Sequence, residues 1–355
     1  ITSVAGIGSA SYSGDGGAAS NAALYWPWSI AAGTDGSLYI ADTHNHRIRK
    51  VTPDGIIRTI AGSGASGSGN GAFAGDGGLA TDARLNLPYA LAVHSDGTVY
   101  VADTNNHRIR KVTPEGIIST VAGTGTAGST GDGGLAHDAR LNSPQGIAVA
   151  EDGSIYIADT GNHRIRKVTP EGIISTVAGN GTAAFTGDGG RARDAQLSSP
   201  MQLALDQDGS LYIADTGNYR IRVIAPDGTI STRAGAASGY AGDGGVASSA
   251  RFAAPHGVAV APDNHRVRAL HRESVEIIGS VQNHLGAPIT GATLTAQGTL
   301  LKATLSATSD AAGRYTLFPE LANSNGSVIV DLTFETGAGK LTAGRTITPN
   351  LTSGY

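Results

Sequence analysis

Between residues 145 and 179 the chain alternates short apolar runs with clusters of turn residues, and the same pattern recurs along the sequence to about residue 270. Gln145–Ala150 reads as a strand of small residues that ends at the turn Glu151-Asp152-Gly153. Ile155–Ala158 follows, with Ile155 and Ile157 on one face and Tyr156 and Ala158 on the other; both faces are apolar, so both are predicted to be covered. After Asp159-Thr160-Gly161-Asn162 comes a charged, alternating strand, His163–Val168, whose long cationic stems suit a partly wet position. Thr169-Pro170-Glu171-Gly172 then turns the chain into a fourth strand, Ile173–Val177. No helical periodicity competes with this reading.

The unit is repeated. The Asp of an Ala-Asp-Thr triplet falls at Asp42, Asp103, Asp159 and Asp215, at spacings of 61, 56 and 56, and a Gly-Asp-Gly-Gly element recurs at Asp15, Asp76, Asp132, Asp188 and Asp243. Such a period means one supersecondary unit per repeat, unable to bury its faces alone. Four antiparallel strands of increasing exposure, repeated in this way, meet the requirements of a β-propeller blade, with inner strands sandwiched between neighbours and outer strands left wetter.

Both ends of the array are incomplete. Ile1-Thr2-Ser3-Val4-Ala5-Gly6 matches the fourth strand of a blade with no first three strands before it. At the other end, Gly257–Ala261 reads as a first strand and Asn264–Arg268 as a third, with no fourth. The two halves are complementary, so the N-terminal strand is predicted to complete the last blade and hide its open edge. From Asn218 to Asn264 there are 46 residues where the repeat calls for 56, and the shortfall corresponds to a second strand. An omitted stretch between Asp263 and Asn264 accounts for this best, because an unfilled inner position would strand backbone donors and acceptors. Ten omitted residues make five blades and a further period makes six.

The motifs Ile40-Ala41-Asp42-Thr43, Asn45-His46-Arg47-Ile48, Thr52-Pro53-Asp54-Gly55 and Gly75-Asp76-Gly77-Gly78, with their copies, closely resemble the NHL-repeat family, in the long-period form of secreted bacterial proteins and teneurin-like propellers. The resemblance covers roughly residues 1–270. It implies an all-β, NHL-type propeller, commonly of six blades, that serves as a binding platform; it implies no reaction.

Composition narrows the class further. Charged residues make up 15 % of the chain and the formal net charge is −4, a poor match for a nucleic-acid backbone. The absence of Cys excludes disulfides, thiol catalysis and thiolate metal sites, and is compatible with export. The 52 glycines sit mostly in the repeated turns, and with two Trp and five Phe the interior falls to Ile, Val, Leu, Ala and the repeated Tyr39, Tyr100, Tyr156 and Tyr212. No stretch approaches the ~20 apolar residues of a membrane span. The chain starts at Ile1 without Met or a signal peptide, which reads as a mature or trimmed fragment.

The division of the chain is placed at 1–271 for the propeller and 272–355 for a second domain. There the repeats stop and alternating strands are predicted at Val275–Gln282, Ala292–Ala296, Arg314–Leu317 and Ser327–Phe334, with turns at Leu285–Pro288 and Asp310–Gly313, the makings of a small β-sandwich. Gly279-Ser280-Val281, Gly286–Leu294 and Ser309–Tyr315 resemble the carboxypeptidase-regulatory-like, transthyretin-like domains of bacterial surface proteins, which implies a spacer or adhesion module without catalytic residues.

Asp42, Asp103, Asp159 and Asp215 are assigned to turns, capping backbone N–H groups, in preference to calcium ligation. The Asp of each Gly-Asp-Gly-Gly is read the same way, since the alternating carboxylates of a calcium loop are missing. His46, His107, His163 and His265 belong to the repeat, with Tyr219 in one copy, and are read as packing residues. The stripe Arg47, Arg49, Arg108, Arg110, Arg164, Arg166, Arg220 and Arg222 is read as a solvated strand face paired with carboxylates.

Function is expected where matched positions differ. The residue after the Pro that opens each first strand is Trp28, Tyr89, Gln145, Met201 and His256. These should ring the entrance of the central channel with groups able to bind a ligand or peptide. A metal-dependent lyase on an NHL-like propeller needs His at several of these entrances, and only Pro255-His256-Gly257 supplies one. RNA binding rests on the Arg stripe alone, against the net charge. The sequence therefore reads as an extracellular, non-catalytic recognition or scaffold module, without metal or cofactor, that meets protein or glycan partners at the rim.

Overall fold

In the computed structural model, residues 2–260 are described apart from 65 and 68, together with the backbone of six C-terminal strands. The chain divides into two compact units, Ile1–Ala269 and Leu270–Tyr355.

The first unit contains four complete antiparallel blades, each with its strands in chain order. Blade 1 is β1 (Pro27–Ala32), β2 (Leu38–Asp42), β3 (Arg47–Val51) and β4 (Ile57–Ala61); blade 2 is β5 (Pro88–Val93), β6 (Val99–Asp103), β7 (Arg108–Val112) and β8 (Ile118–Ala122). Blade 3 is β9 (Gly146–Val149), β10 (Ile155–Asp159), β11 (Arg164–Val168) and β12 (Ile174–Ala178); blade 4 is β13 (Pro200–Leu205), β14 (Leu211–Asp215), β15 (Arg220–Ile224) and β16 (Ile230–Ala234). The first strands β1, β5, β9 and β13 pack side by side in that order, which sets them on the inside of the array.

The interior lies between blades, as double-faced apolar strands require. One core joins Ile48 and Tyr39 of blade 1 to Leu91, Val101 and Ile118 of blade 2; the next joins Ile109 of blade 2 to Leu141, Ile147 and Ile157 at blade 3; a third joins Ile165 to Leu203, Ile213 and Ile230 at blade 4. Alanines at Ala41, Ala102, Ala158 and Ala214 are wholly buried, and their small size lets neighbouring sheets approach.

Two expectations about the ends are corrected. Four complete blades are present among the described residues, where five or six were expected. Val258 is buried against Tyr212, Ala214 and Ile221 of blade 4, so a fifth inner segment is begun, though without forming a regular strand. Residues 2–6 are likewise not a strand; Gly6 N–H bonds Ala19 O and Ile7 N–H bonds Ala22 O, which ties the segment to the loop entering blade 1. The Asp263/Asn264 junction and the third strand expected at 264–268 lie outside the described residues.

In the second unit, β17 (Ile277–Ser280) pairs antiparallel with β20 (Arg314–Leu317), and β18 (Thr293–Gln297), β19 (Leu305–Thr308), β21 (Val328–Thr336) and β22 (Gly339–Ile347) form an antiparallel sheet in the order β19-β18-β21-β22. Strands β19 and β22 were not expected. A β-sandwich is not evident among the described residues, since a two-stranded ribbon is too narrow to cover a four-stranded sheet at a strand spacing of about 4.8 Å. The turns expected at 285–288 and 310–313 lie outside the described residues.

Candidate functional site

Each blade carries a buried polar frame. Asp42 ends β2, and its Oδ1 accepts the N–H of Tyr25 at 2.7 Å, while Oδ2 accepts Asn45 Nδ2 at 2.8 Å and Arg49 Nη1 at 3.2 Å. Arg49 Nη2 reaches on to Asp15 Oδ1 of the Gly-Asp-Gly-Gly loop at 2.6 Å. The set recurs as Asp103-Arg110-Asp76, Asp159-Arg166-Asp132 and Asp215-Arg222-Asp188. Burial pushes the Asp103 and Asp159 carboxyls up to about 6, against the pull of the Asn side chain, the backbone N–H and the Arg.

This overturns the reading of the Arg stripe as a solvated face. Arg49, Arg110, Arg166 and Arg222 are wholly buried, and only Arg47, Arg108, Arg164 and Arg220 are partly exposed. The reason is the loop that precedes each blade: it folds back over the third strand and presents Asp15, Asp76, Asp132 or Asp188 to the guanidinium. Tyr12, Phe73 and Phe185 from the same loops lie over the Arg pairs, with Arg108 Cζ 3.7 Å from the Phe73 centroid.

A second repeated device joins the blades. His46 Nδ1 accepts the N–H of Leu87 at 3.0 Å, as His107 does from Ser143 and His163 from Ser199. Nδ1 is therefore unprotonated, and burial pushes all three imidazoles below their ordinary pKa. Thr43 Oγ1 donates to the Pro88 carbonyl at 2.8 Å, with Thr104, Thr160 and Thr216 doing the same for Pro144, Pro200 and Pro255. Leu87, Ser143, Ser199 and Ala254, each just before that Pro, take left-handed backbone.

The joint fixes the Pro and so aims the residue after it. In blades 1, 2 and 4 that residue falls at a register shift: Pro27 pairs with Asp42 and Ser29 with Ala41, leaving Trp28 unpaired, Tyr89 is skipped in the same way, and in blade 4 Met201 is skipped together with Gln202. A bulge turns a side chain out of the pleat. Trp28 meets Tyr89 edge-on, with centroids 5.0 Å apart at 61°, and meets His256 on the fifth inner segment at 5.7 Å and 51°. Trp28 remains 40 % exposed.

Three of the five rim residues expected from sequence are thus brought together, from positions 28, 89 and 256. Gln145, just before β9, and Met201, in β13, are half-buried at the matching places of blades 3 and 4. The Met201 carbonyl lies against Gly146, where an added Cβ would be 1.7 Å from it. The Gln145 Oε1 and Ser29 Oγ atoms are buried without a hydrogen-bond partner among the described residues.

One group of neighbours was missed. Tyr25 and Trp26 both pack on His44, with ring centroids at 5.0 and 4.9 Å, and Trp26 is 61 % exposed. The signal lay in the columns beside the one chosen: Trp26 aligns with Leu87, Ser143, Ser199 and Ala254, and His44 with Asn105, Gly161 and Gly217. Among the described residues no three His, Asp or Glu side chains gather where a metal ion would be held.

The family model for the teneurin NHL domain matches the chain four times in succession, at residues 7–70, 64–130, 124–184 and 180–225. The chain belongs to the teneurin NHL domain family. It is 35 % identical over 236 residues to Teneurin-1 of Mus musculus, a match covering 61 % of this chain and 8 % of that protein. It is 33 % identical over 263 residues to Teneurin-m of Drosophila melanogaster, covering 65 % and 10 % respectively. The chain thus spans only a small part of the length of these relatives, which are animal proteins and lend no support to the bacterial setting expected above. Among solved structures it is similar to virginiamycin B lyase from Staphylococcus aureus, at 15 % identity and a TM-score of 0.41 over 90 % of this chain and 84 % of that one. An auxiliary nutrient binding protein from Bacteroides ovatus gives 17 % and 0.47 over 67 % and 54 %. Likenesses this remote transfer no function.

Proposed function

We propose that this teneurin-type NHL propeller is a non-catalytic recognition or scaffold module of an extracellular protein, engaging its partner, protein or glycan, at the rim formed by Trp28, Tyr89, Gln145, Met201 and His256. The observation that carries this reading is the contact of Trp28 with Tyr89 on one side and His256 on the other. Frame and joint residues are nearly invariant from blade to blade, whereas the rim position is aromatic, amide, thioether or imidazole, and the bulges that aim it recur in three blades. No cofactor enters this reading. Burial of one Arg from each pair removes half of the cationic stripe on which an RNA-binding reading rests. The C-terminal unit, 272–355, is assigned the role of a spacer or adhesion module of the carboxypeptidase-regulatory-like kind.

Binding of the labelled chain to intact source cells tests the reading. Trp28→Ala should melt close to the parent, because the side chain lies at an exposed bulge, yet bind about tenfold more weakly or worse. Equal binding by the two proteins would place the site elsewhere.

A further inference from the structure

The geometry points to a neutral saccharide as the occupant of this rim, an assignment that rests on the rim being the docking site. Three observations select it. First, Trp28, Tyr89, Gln145, Met201 and His256 include no Lys, Arg, Asp or Glu. An occupant carrying phosphate, sulfate or carboxylate would lose its hydration there without gaining a counter-charge. Second, the rings of exposed Trp28 and His256 and half-buried Tyr89 are tilted at 61° and 51° instead of stacked face to face, which leaves flat apolar area on Trp28 for the C–H face of a pyranose. Third, at the rim itself the buried Gln145 Oε1 has no hydrogen-bond partner among the described residues.

An acceptor held out of water calls for a donor, and a sugar presents several hydroxyl donors around an apolar ring. A proline-rich peptide would cover the aromatic surface equally well, but its imide nitrogens donate nothing to Gln145. Single-stranded RNA would stack its bases here but needs cations along its backbone, and the rim has none.

The test uses a property of this sequence: its two tryptophans are Trp26, beside His44, and Trp28, at the rim, so selectively excited tryptophan emission reports on Trp28 once the contribution of Trp26 is set by a Trp26→Phe variant. Neutral gluco-, galacto-, manno- and N-acetylglucosamine oligosaccharides are titrated up to about 10 mM, which captures even millimolar affinity. The expected result is a saturable emission shift with at least one of them, weakened about tenfold or more by Gln145→Ala and by Trp28→Phe, with both variants melting like the parent. Cell binding supplies the second arm, on cells treated with periodate, which cleaves sugar diols, or with protease. Loss of binding after periodate supports the saccharide. If no sugar shifts the fluorescence and protease alone abolishes Trp28-dependent binding, the saccharide is overturned while rim recognition stands. Binding that is indifferent to Trp28→Ala overturns both.

Discussion

Arg110 and Asp103 show what a strand pattern conceals at the scale of single residues. The turn role of Asp103 was legible because an Asp at a strand end, followed by Thr and Asn, offers its oxygens to nearby N–H groups, as it does to Asn86 and Asn106. The burial of Arg110 was not, because an alternating cationic strand looks the same whether water or a loop covers it, and the loop carrying Asp76 lies 34 residues upstream. Removing one partner of such a set leaves buried charge behind, so Arg110→Met should destabilise the propeller by about 3–5 kcal/mol, read as a fall in denaturant midpoint. The imidazoles give a pH dependence with a definite sign. His163 in the folded protein has a pKa below its unfolded value of about 6.5, so the unfolded state binds more protons and stability falls as pH drops through that value. Asp103 and Asp159, folded near 6 against 3.8 unfolded, act oppositely: the folded state takes up protons first and gains stability as pH falls through 6. The comparison that isolates His163 is therefore with His163→Tyr, the residue blade 4 already uses at Tyr219. Between pH 7.5 and 5.5 the parent should lose more stability than the variant, and parallel melting curves would remove His163 from the balance.

At the scale of elements, four strands per repeat were legible from period-two apolar runs bounded by Gly, Asp and Pro, and the boundaries shifted for identifiable reasons. His163 falls outside β11 because it adopts a left-handed conformation, φ 55°, at the end of the 3-10 turn Thr160–Asn162, where its ring can reach Ser199 of the next blade. Ile173 falls outside β12 because it bridges instead to Leu135 of the wrapping loop. The bulges that free Trp28, Tyr89 and Met201 leave no sequence signal beyond the Pro before each, so the rim could be named as a column but not aimed. Gly146 belongs to the same scale. The Met201 carbonyl occupies the space of a side chain there, and backbone cannot yield as a flexible side chain would. Gly146→Ala should destabilise by about 1–3 kcal/mol and, by shifting β9 from β13, alter the near-ultraviolet signal of the rim aromatics. A neutral outcome would mean that the inner strands have slack.

Across the first unit, blades are not expected to unfold separately, because three of the core clusters are each shared by two of them. Leu141 is wholly buried in a core that joins Ile109 of blade 2 to Ile147, Ile157 and Ile174 of blade 3. Arrays whose units touch only their neighbours unfold as one when the interfaces are worth more than each unit alone, and separately when they are worth less. Here a blade on its own would expose both faces of its middle strands, so the interfaces should dominate and unfolding should be a single transition. Leu141→Ala opens a cavity expected to cost about 2–5 kcal/mol. Its consequence can be read at a distance, because both tryptophans sit in blade 1, where no side chain is part of that cluster. If blades 1 to 4 are coupled, Trp26 and Trp28 emission should report unfolding at the same lowered denaturant concentration as far-ultraviolet circular dichroism. If the tryptophan transition stayed at the parental midpoint while the circular dichroism moved, blade 1 would be unfolding independently.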